Sequence, residues 1–165
     1  MTPSQLSALH TAIFASVDPA VVAARVAMDD LEIARLYNLP STFYAWRTDV
    51  TRAEIYHSTS DDGTTWNWTT YKGQSVTEQN AWVQIFMGDV ANFSLDNLRA
   101  GVDSIFSGAG APATQRAHIA AIAKRLATTA ERVFATGTGS KAVPGKLGWQ
   151  GELTPQDASD ALRAA

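Results

Sequence analysis

The spacing of apolar residues predicts that the first forty residues form two or three short helices with tight joints. Leu9 and Ile13 lie one turn apart after Thr2-Pro3-Ser4-Gln5, in which a hydroxyl cap precedes a proline and a glutamine that can complete a capping box. Two further helix starts, each with an aspartate as its cap, follow at Asp18-Pro19 and at Asp29-Asp30.

From Ser75 onward the helical pattern becomes more regular. Ser75-Val76-Thr77-Glu78 is a capping box for a helix that we expect to stop at Gly88, and Ser94 is placed to cap the next helix. The longest pattern covers residues 112–134, where these apolar residues share one helical face: Ile119, Ile122, Leu126, Ala130 and Val133. At about 1.5 Å per residue, it predicts a single helix about 35 Å long. Thr154-Pro155 predicts the start of a final helix.

The segment between these two regions is rich in aromatic residues. Residues 42–47 fit an extended connection or a short strand, residues 50–58 fit a capped helix, and residues 58–63 have the composition of a turn. The alternation over Thr64–Tyr71 fits either a strand or one broad helical face, and we favour a helix. We expect three tryptophans to share one core: Trp66, Trp68 and Trp82.

These elements together predict an all-α fold, a bundle of five to seven helices with one long helix. Residues 135–151 differ in character, because they hold five of the eleven glycines and only scattered apolar residues. We interpret them as an irregular glycine-rich C-terminal arm, with a short strand near Leu147. The predicted organisation is therefore a helical domain over 1–134 and an arm with a short terminal helix over 135–165.

Composition narrows the range of functions. The chain has 165 residues, of which 45% are hydrophobic and 18% charged, values typical of a folded protein of one domain. The net charge of −3 provides no global field to attract nucleic acid or an anionic membrane. Cysteine is absent, which excludes disulfides and thiolate chemistry. No apolar run reaches the roughly 20 residues of a membrane helix, so we expect no membrane partner.

No motif predicts catalysis or a bound cofactor. His10, His57 and His118 lie far apart and in no metal-ligand spacing, and structural roles suit them better. The pairs Asp29-Asp30 and Asp61-Asp62 fit a helix start and a turn rather than an acid–base pair. Gly145-Lys146 lacks the serine or threonine and the strand–loop–helix context of a phosphate-binding loop. We therefore expect a protein that is not an enzyme and that has no cofactor and no metal.

Two sets of residues are candidates for binding a partner. Four basic residues on the predicted long helix are either a solvated face or a surface turned toward DNA or an acidic partner: Arg116, Lys124, Arg125 and Arg132. The arm contributes an aromatic side chain that either docks on another subunit or folds back onto its own core, together with neighbouring glycine, proline and lysine residues: Gly137, Gly139, Lys141, Pro144, Lys146 and Trp149.

Three stretches resemble an uncharacterised protein family from the structural-gene region of tailed bacteriophages of Proteobacteria. They are Thr64–Tyr71, Thr77–Gly101 and Leu126–Gly139, followed by Pro144 and the helix start Gly151-Glu152-Leu153-Thr154. The resemblance runs from about residue 40 to the end. Where the family has an arginine after an alanine–threonine pair, this chain has Thr129.

The resemblance implies a structural virion protein, and the predicted architecture is similar to that of head–tail connector (adaptor) proteins of the phage neck. Such a protein would form a homo-oligomeric ring beneath the portal, and would contact the portal protein, a downstream tail or neck protein and, non-specifically, packaged DNA. It would be made in the host cytoplasm and located in the virion. The alternatives are another virion protein, for capsid decoration or tail completion, and a small non-structural phage protein acting on the host.

Overall fold

The computed structural model describes residues 1–164, and it is a mixed α/β protein rather than the all-α bundle expected from the sequence. About 52% of the chain is helical and 13% lies in strands, which form small two-stranded sheets. The described elements in chain order are α1 (Pro3–Ala15), α2 (Pro19–Val26), α3 (Asp30–Tyr37), β1 (Pro40–Trp46), β2 (Val50–Thr51), α4 (Arg52–His57), α5 (Trp68–Lys72), α6 (Val76–Ile85), β3 (Val90–Ala91), α7 (Asp96–Ile105), α8 (Ala111–Ile122), β4 (Lys124–Thr128), α9 (Thr129–Val133), β5 (Ala135–Thr136), β6 (Lys146–Leu147) and α10 (Pro155–Arg163).

By their contacts, the elements form two compact units. Unit 1 comprises residues 1–45 and the chain from Leu126 onward, and unit 2 comprises Trp46–Arg125. This division differs from the predicted one, since the expected boundary after residue 134 falls inside unit 1. No single described helix is long and apolar enough to span a membrane. Helices α1 and α2 together have sufficient length and apolar character, but the chain bends by 113° between them.

The predicted N-terminal helices are confirmed, together with the residues that begin them. Thr2 forms a capping box with Gln5 at the start of α1. The carboxylates of Asp18 and Asp29 accept hydrogen bonds from the backbone N–H groups of Ala20 and Glu32, at 2.8 and 3.0 Å. These side chains pair the N–H groups that a helix start leaves without partners, so short-range sequence suffices to predict the three starts.

The core of unit 1 brings both ends of the chain together. Leu9, Ile13 and Ile33 are completely buried, and they cluster with the C-terminal helix through Ala161 and Leu162. The start of α10 is confirmed at Thr154, whose hydroxyl and Asp157 form a capping box. The terminal helix is thus a core element of unit 1.

The predicted helix over residues 112–134 is wrong. The structure has α8 up to Ile122, then strand β4, which pairs with β1, and then the short helix α9. Distant groups hold the backbone where β4 meets α9, since the Ser41 hydroxyl donates to the Ala127 carbonyl at 2.8 Å and Thr129 N–H donates to the Leu39 carbonyl at 2.9 Å. The spacing of apolar residues depends only on side chains and carries no information about backbone pairing with distant segments. Here the pairing of β4 with β1 decides the local structure instead.

A capping box marks the end of that strand. The Thr128 hydroxyl accepts from Glu131 N–H at 3.1 Å, and the Glu131 carboxylate accepts from Thr128 N–H at 2.9 Å. The T-x-x-E pattern at 128–131 is the sequence signature of a new helix start, and it argues against a continuous helix. Strand β1 agrees with the extended interpretation of residues 42–47, whereas within Thr64–Tyr71 a helix begins only at Trp68.

Unit 2 has an aromatic core. Trp82 and Phe106 are completely buried, and Trp66, which is 6% exposed, stacks on Trp82 with ring centroids 5.2 Å apart. The Trp82 indole donates a 3.0 Å hydrogen bond to the Tyr56 hydroxyl. The prediction that Trp68 shares this core is wrong. Its side chain is 48% exposed and meets the Trp66 ring edge-on.

Two predicted boundaries in unit 2 are wrong. The positive φ after α6 belongs to Asp89, at 66°, and not to Gly88. Helix α7 begins after Leu95 without a side-chain cap, because the hydroxyl of Ser94 instead donates to the Asn92 side chain at 2.6 Å. The capping box of α6 at Ser75 and Glu78 is confirmed.

The glycine-rich segment is an ordered hairpin. Strands β5 and β6 pair in antiparallel register, with Ala135 opposite Leu147. The ring of Phe43 in β1 fills the space beside two glycines of the intervening loop, so a Cβ at either Gly139 or Gly145 would overlap it. Tyr44 N–H donates to the Gly139 carbonyl at 2.7 Å, and Gly145 N–H donates to the Tyr44 carbonyl at 2.8 Å. The hairpin loop is therefore fastened to β1.

Candidate functional site: the unit 1 groove

The arm residues predicted to bind a partner are divided between the interior and the surface. Pro144 is buried with Gly139, whereas Gly137, Lys141 and Lys146 are exposed. Trp149 folds back onto unit 1, where it packs edge-on against Phe134 with centroids 5.7 Å apart and contacts the core. Of the two interpretations left open for Trp149, the structure shows the fold-back.

The connection from the hairpin to α10 is held by two polar side chains. The Asn38 side chain forms two hydrogen bonds with the backbone of Leu153: it accepts from the N–H at 2.7 Å and donates to the carbonyl at 2.9 Å. The buried carboxylate of Glu131 accepts from Gly151 N–H at 3.4 Å. Both side chains pair backbone groups that would otherwise be costly to bury.

The four predicted basic residues do not form one helical face. Arg116 lies on α8, Lys124 and Arg125 lie half-buried on β4, and Arg132 is exposed on α9. Their predicted alignment depended on the continuous helix, which does not exist. Arg132 lines a groove in unit 1, and Arg116 lines a cavity in unit 2.

Unit 1 contains a groove that lies between its N-terminal helices and α9. Its main part has a volume of about 530 Å³, and a neighbouring hollow of about 280 Å³ shares four of its lining residues, Ser16, Asp18, Tyr37 and Thr129. The turn between α1 and α2 forms one wall, and α9 forms the other. A concave surface of this size can accept a side chain or a short segment of a partner.

The groove is lined in part by apolar residues, among them Ala12, Ala15 and Val133, and its two charged lining residues have opposite signs. Tyr37 is buried, and desolvation raises the pKa of its phenol to about 12, with a lowering contribution from Arg25 and a raising one from Asp18. Asp18 and Arg132 supply the negative and positive charge. The groove therefore combines an apolar surface with charges that can orient a partner.

Exposed apolar residues border the groove. Val17 is 91% exposed and Leu39 is 46% exposed. Thr129, at the position where the resembling family has an arginine, lines both parts of the groove. A small side chain at this position leaves the groove open between its two parts. Exposed apolar side chains beside a concave surface are typical of protein interaction sites.

One cavity in unit 2, of about 220 Å³, is lined by Arg99 and Arg116, whose guanidinium groups are engaged within the protein. The Arg99 guanidinium lies over the Trp46 ring at 4.6 Å, pairs with Asp96 and donates to the Phe93 carbonyl. The Arg116 guanidinium donates to the carbonyls of Phe106 and Gly108 and lies 3.6 Å from a carboxylate oxygen of Asp103. These arginines fasten loops of unit 2, which is a structural use of their charge.

The three histidines are placed in separate surroundings. His118 is buried and bonded to the Ile55 carbonyl, His10 is bonded to the Ala161 carbonyl, and His57 is exposed. Within the described residues, no group of three metal-ligating side chains is close enough to hold an ion. Asp29 caps α3, and Asp62 accepts hydrogen bonds from Ser60 and Thr64 in a turn.

Of the residues predicted from the sequence to bind a partner, Arg132 lines the groove. Asp18, Tyr37 and Thr129 also line it but were not among those candidates, because they come from three segments that only the tertiary fold brings together. Val17 carries the one sequence signal available, an apolar side chain in a joint between helices. Comparison of the chain with protein-family models, curated proteins and solved structures finds no match.

Proposed function

We propose that this protein is a structural component of a tailed-phage virion and acts by binding neighbouring subunits rather than by catalysis. The unit 1 groove and its exposed apolar border are the observation that carries the binding role. The phage context comes from the sequence resemblance over Thr64–Tyr71, Thr77–Gly101 and Leu126–Gly139. A place in the head–tail connector, as a ring beneath the portal, is the finer proposal and is supported by that resemblance alone.

The occupant that we propose for the groove is a second copy of this chain. Outside the groove, unit 1 presents a different set of exposed apolar side chains, Val26 at 77%, Met28 at 50% and Leu31 at 66%. A groove on one copy that receives a different surface of the next copy makes a heterologous contact. Contacts of this kind generate rings when the rotation between copies closes.

The structure changes which part of the hairpin is available to a partner such as the portal. Trp149 packs against the core of unit 1 and Pro144 is buried, so we no longer include them in the proposed contact surface. The loop between β5 and β6 still exposes Lys141 and Val143, the latter at 60%. This loop tip is the part of the arm that we retain for binding the portal.

Sedimentation velocity of purified protein tests the groove contact. Val17→Arg places a long charged side chain at the exposed border of the groove, while Thr59→Arg adds the same side chain at an exposed loop position of unit 2. We expect the wild type and Thr59→Arg to form the same oligomer and Val17→Arg to shift toward monomer. A wild-type chain that stays monomeric up to about 1 mM, where association contributes only about −4 kcal/mol, would overturn the self-contact.

A further inference from the structure

Three buried polar atoms in unit 2 have no hydrogen-bond partner in the protein. They are Trp66 Nε1, Gln115 Nε2 and His118 Nδ1. Their residues are 6%, 1% and 0% exposed. Buried polar groups in folded proteins are almost always paired, either with the protein or with an ordered water molecule. Three unpartnered atoms within one unit therefore need a physical explanation.

Two of these atoms, Gln115 Nε2 and His118 Nδ1, belong to side chains on the same face of α8. Gln115 and His118 are three residues apart on α8, so their side chains project side by side. The Gln115 side chain accepts a 2.9 Å hydrogen bond from Asn67 N–H, which fixes the start of α5 against it. Trp66 is the residue directly before Asn67, so its backbone adjoins this contact.

Helix α4 contacts both His118 and Trp66. His118 Nε2 lies 2.8 Å from the Ile55 carbonyl oxygen in α4. The next residue, Tyr56, places its ring 4.7 Å from that of Trp66. Contacts thus run from Trp66 through α4 to His118, along α8 to Gln115 and back to Trp66. The three unpartnered atoms thus belong to side chains that one circuit of contacts connects.

The hydrogen-bonding character of each atom follows from its neighbour. A backbone N–H donates to Gln115, so the bonded atom is the amide oxygen and the unpartnered atom is the NH₂ donor. A carbonyl accepts from His118 Nε2, so that nitrogen carries hydrogen and Nδ1 of the neutral ring is an acceptor. The Trp66 indole is a donor only. The three atoms thus offer two donors and one acceptor.

We propose that Trp66, Gln115 and His118 bind one buried water molecule. The water accepts from the Trp66 indole and the Gln115 amide, and it donates one O–H to His118 Nδ1. Three hydrogen bonds to otherwise unpaired groups are the usual number for a buried water. An anion such as chloride fits less well, because it would face the lone pair of Nδ1. The water thus links the segment before α5 to α8.

Nuclear magnetic resonance of ¹⁵N-labelled protein tests this site directly. We expect cross-peaks at the water frequency from both the Trp66 indole proton and the Gln115 amide protons, with the opposite NOE and ROE signs of a long-lived bound water. The ¹⁵N shifts of His118 should show an unprotonated Nδ1.

The variant Tyr56→Phe is the control, since the Tyr56 hydroxyl exchanges with solvent and bonds to Trp82 rather than to Trp66. In this variant a water-frequency cross-peak at Trp82 should disappear, while the one at Trp66 should persist. The proposal is overturned if neither Trp66 nor Gln115 shows a bound-water peak, if the Trp66 peak disappears in Tyr56→Phe, or if His118 carries its proton on Nδ1.

Discussion

Glycines at 139 and 145 leave room for the Phe43 ring, and adding one methyl group at either position tests how the hairpin is held. In Gly139→Ala the new Cβ falls on the ring, well inside the 3.4 Å at which ordinary contact begins. In Gly145→Ala it lies 2.6 Å from the ring Cε1 and 2.5 Å from the Thr136 carbonyl oxygen. The ring or the loop must move in both variants.

The expected losses differ because the two glycines differ in backbone conformation. Overpacking of this kind costs about 1–3 kcal/mol of unfolding free energy. Gly139 also has a φ of 64°, which costs an alanine about 1–2 kcal/mol more. We therefore expect a loss of about 2–5 kcal/mol for Gly139→Ala. Gly145 is not in the positive-φ region, so Gly145→Ala should lose the packing contribution alone.

A double-mutant cycle with Phe43→Ala isolates the packing contribution. Urea unfolding followed by circular dichroism gives the free energy of each variant. Once the ring is removed, Gly139→Ala should lose only its backbone cost, which gives a coupling of about 1–3 kcal/mol. Gly151→Ala is the control, since Gly151 also has a positive φ, of 133°, but its nearest Cβ contact is an ordinary 3.8 Å. Equal losses for Gly139→Ala with and without Phe43 would refute the steric account.

Three further predictions follow from polar and aromatic contacts. Trp149→Ala should lower the unfolding free energy by about 2 kcal/mol, since Trp149 packs on Phe134; unchanged urea denaturation would show a side chain held outside the fold. Asn38→Ala should cost about 2 kcal/mol by leaving the Leu153 backbone unpaired, and a loss below about 0.5 kcal/mol would contradict this. Hydrogen bonds from Ser60 and then Thr64 lower the pKa of Asp62 to about 2, so its stabilising contribution is present above the ordinary 3.8 and disappears as pH falls toward 2; a carboxyl ¹³C titration with a midpoint near 3.8 would contradict it.

The helix starts could be predicted from the sequence because their causes are local. Thr2, Asp18 and Asp29 each bond to a backbone N–H group two or three residues away. Strand β4 could not be predicted in this way, since its backbone partners lie in β1, more than eighty residues earlier. The role of Gly139 was hidden for the same reason, because the ring that requires it belongs to Phe43.

The candidate site shows the same limit. Arg132 stood out in the sequence as a basic residue, but its predicted companions depended on a helix that the structure interrupts after Ile122. The groove exists because the α1–α2 turn, the end of α3 and the start of α9 meet in unit 1. No short-range pattern records that meeting. The capping box at Thr128 was the available signal that α9 begins a separate element.

The central claim is that this protein is a structural virion component, and quantitative mass spectrometry of purified virions of the source phage tests it most directly. The measurement is the number of copies of this chain relative to the portal protein. A ratio near one to one is the result that the connector proposal predicts, whereas a large excess would place the chain in the capsid or tail and overturn the connector position. Absence from purified virions would contradict the structural role itself.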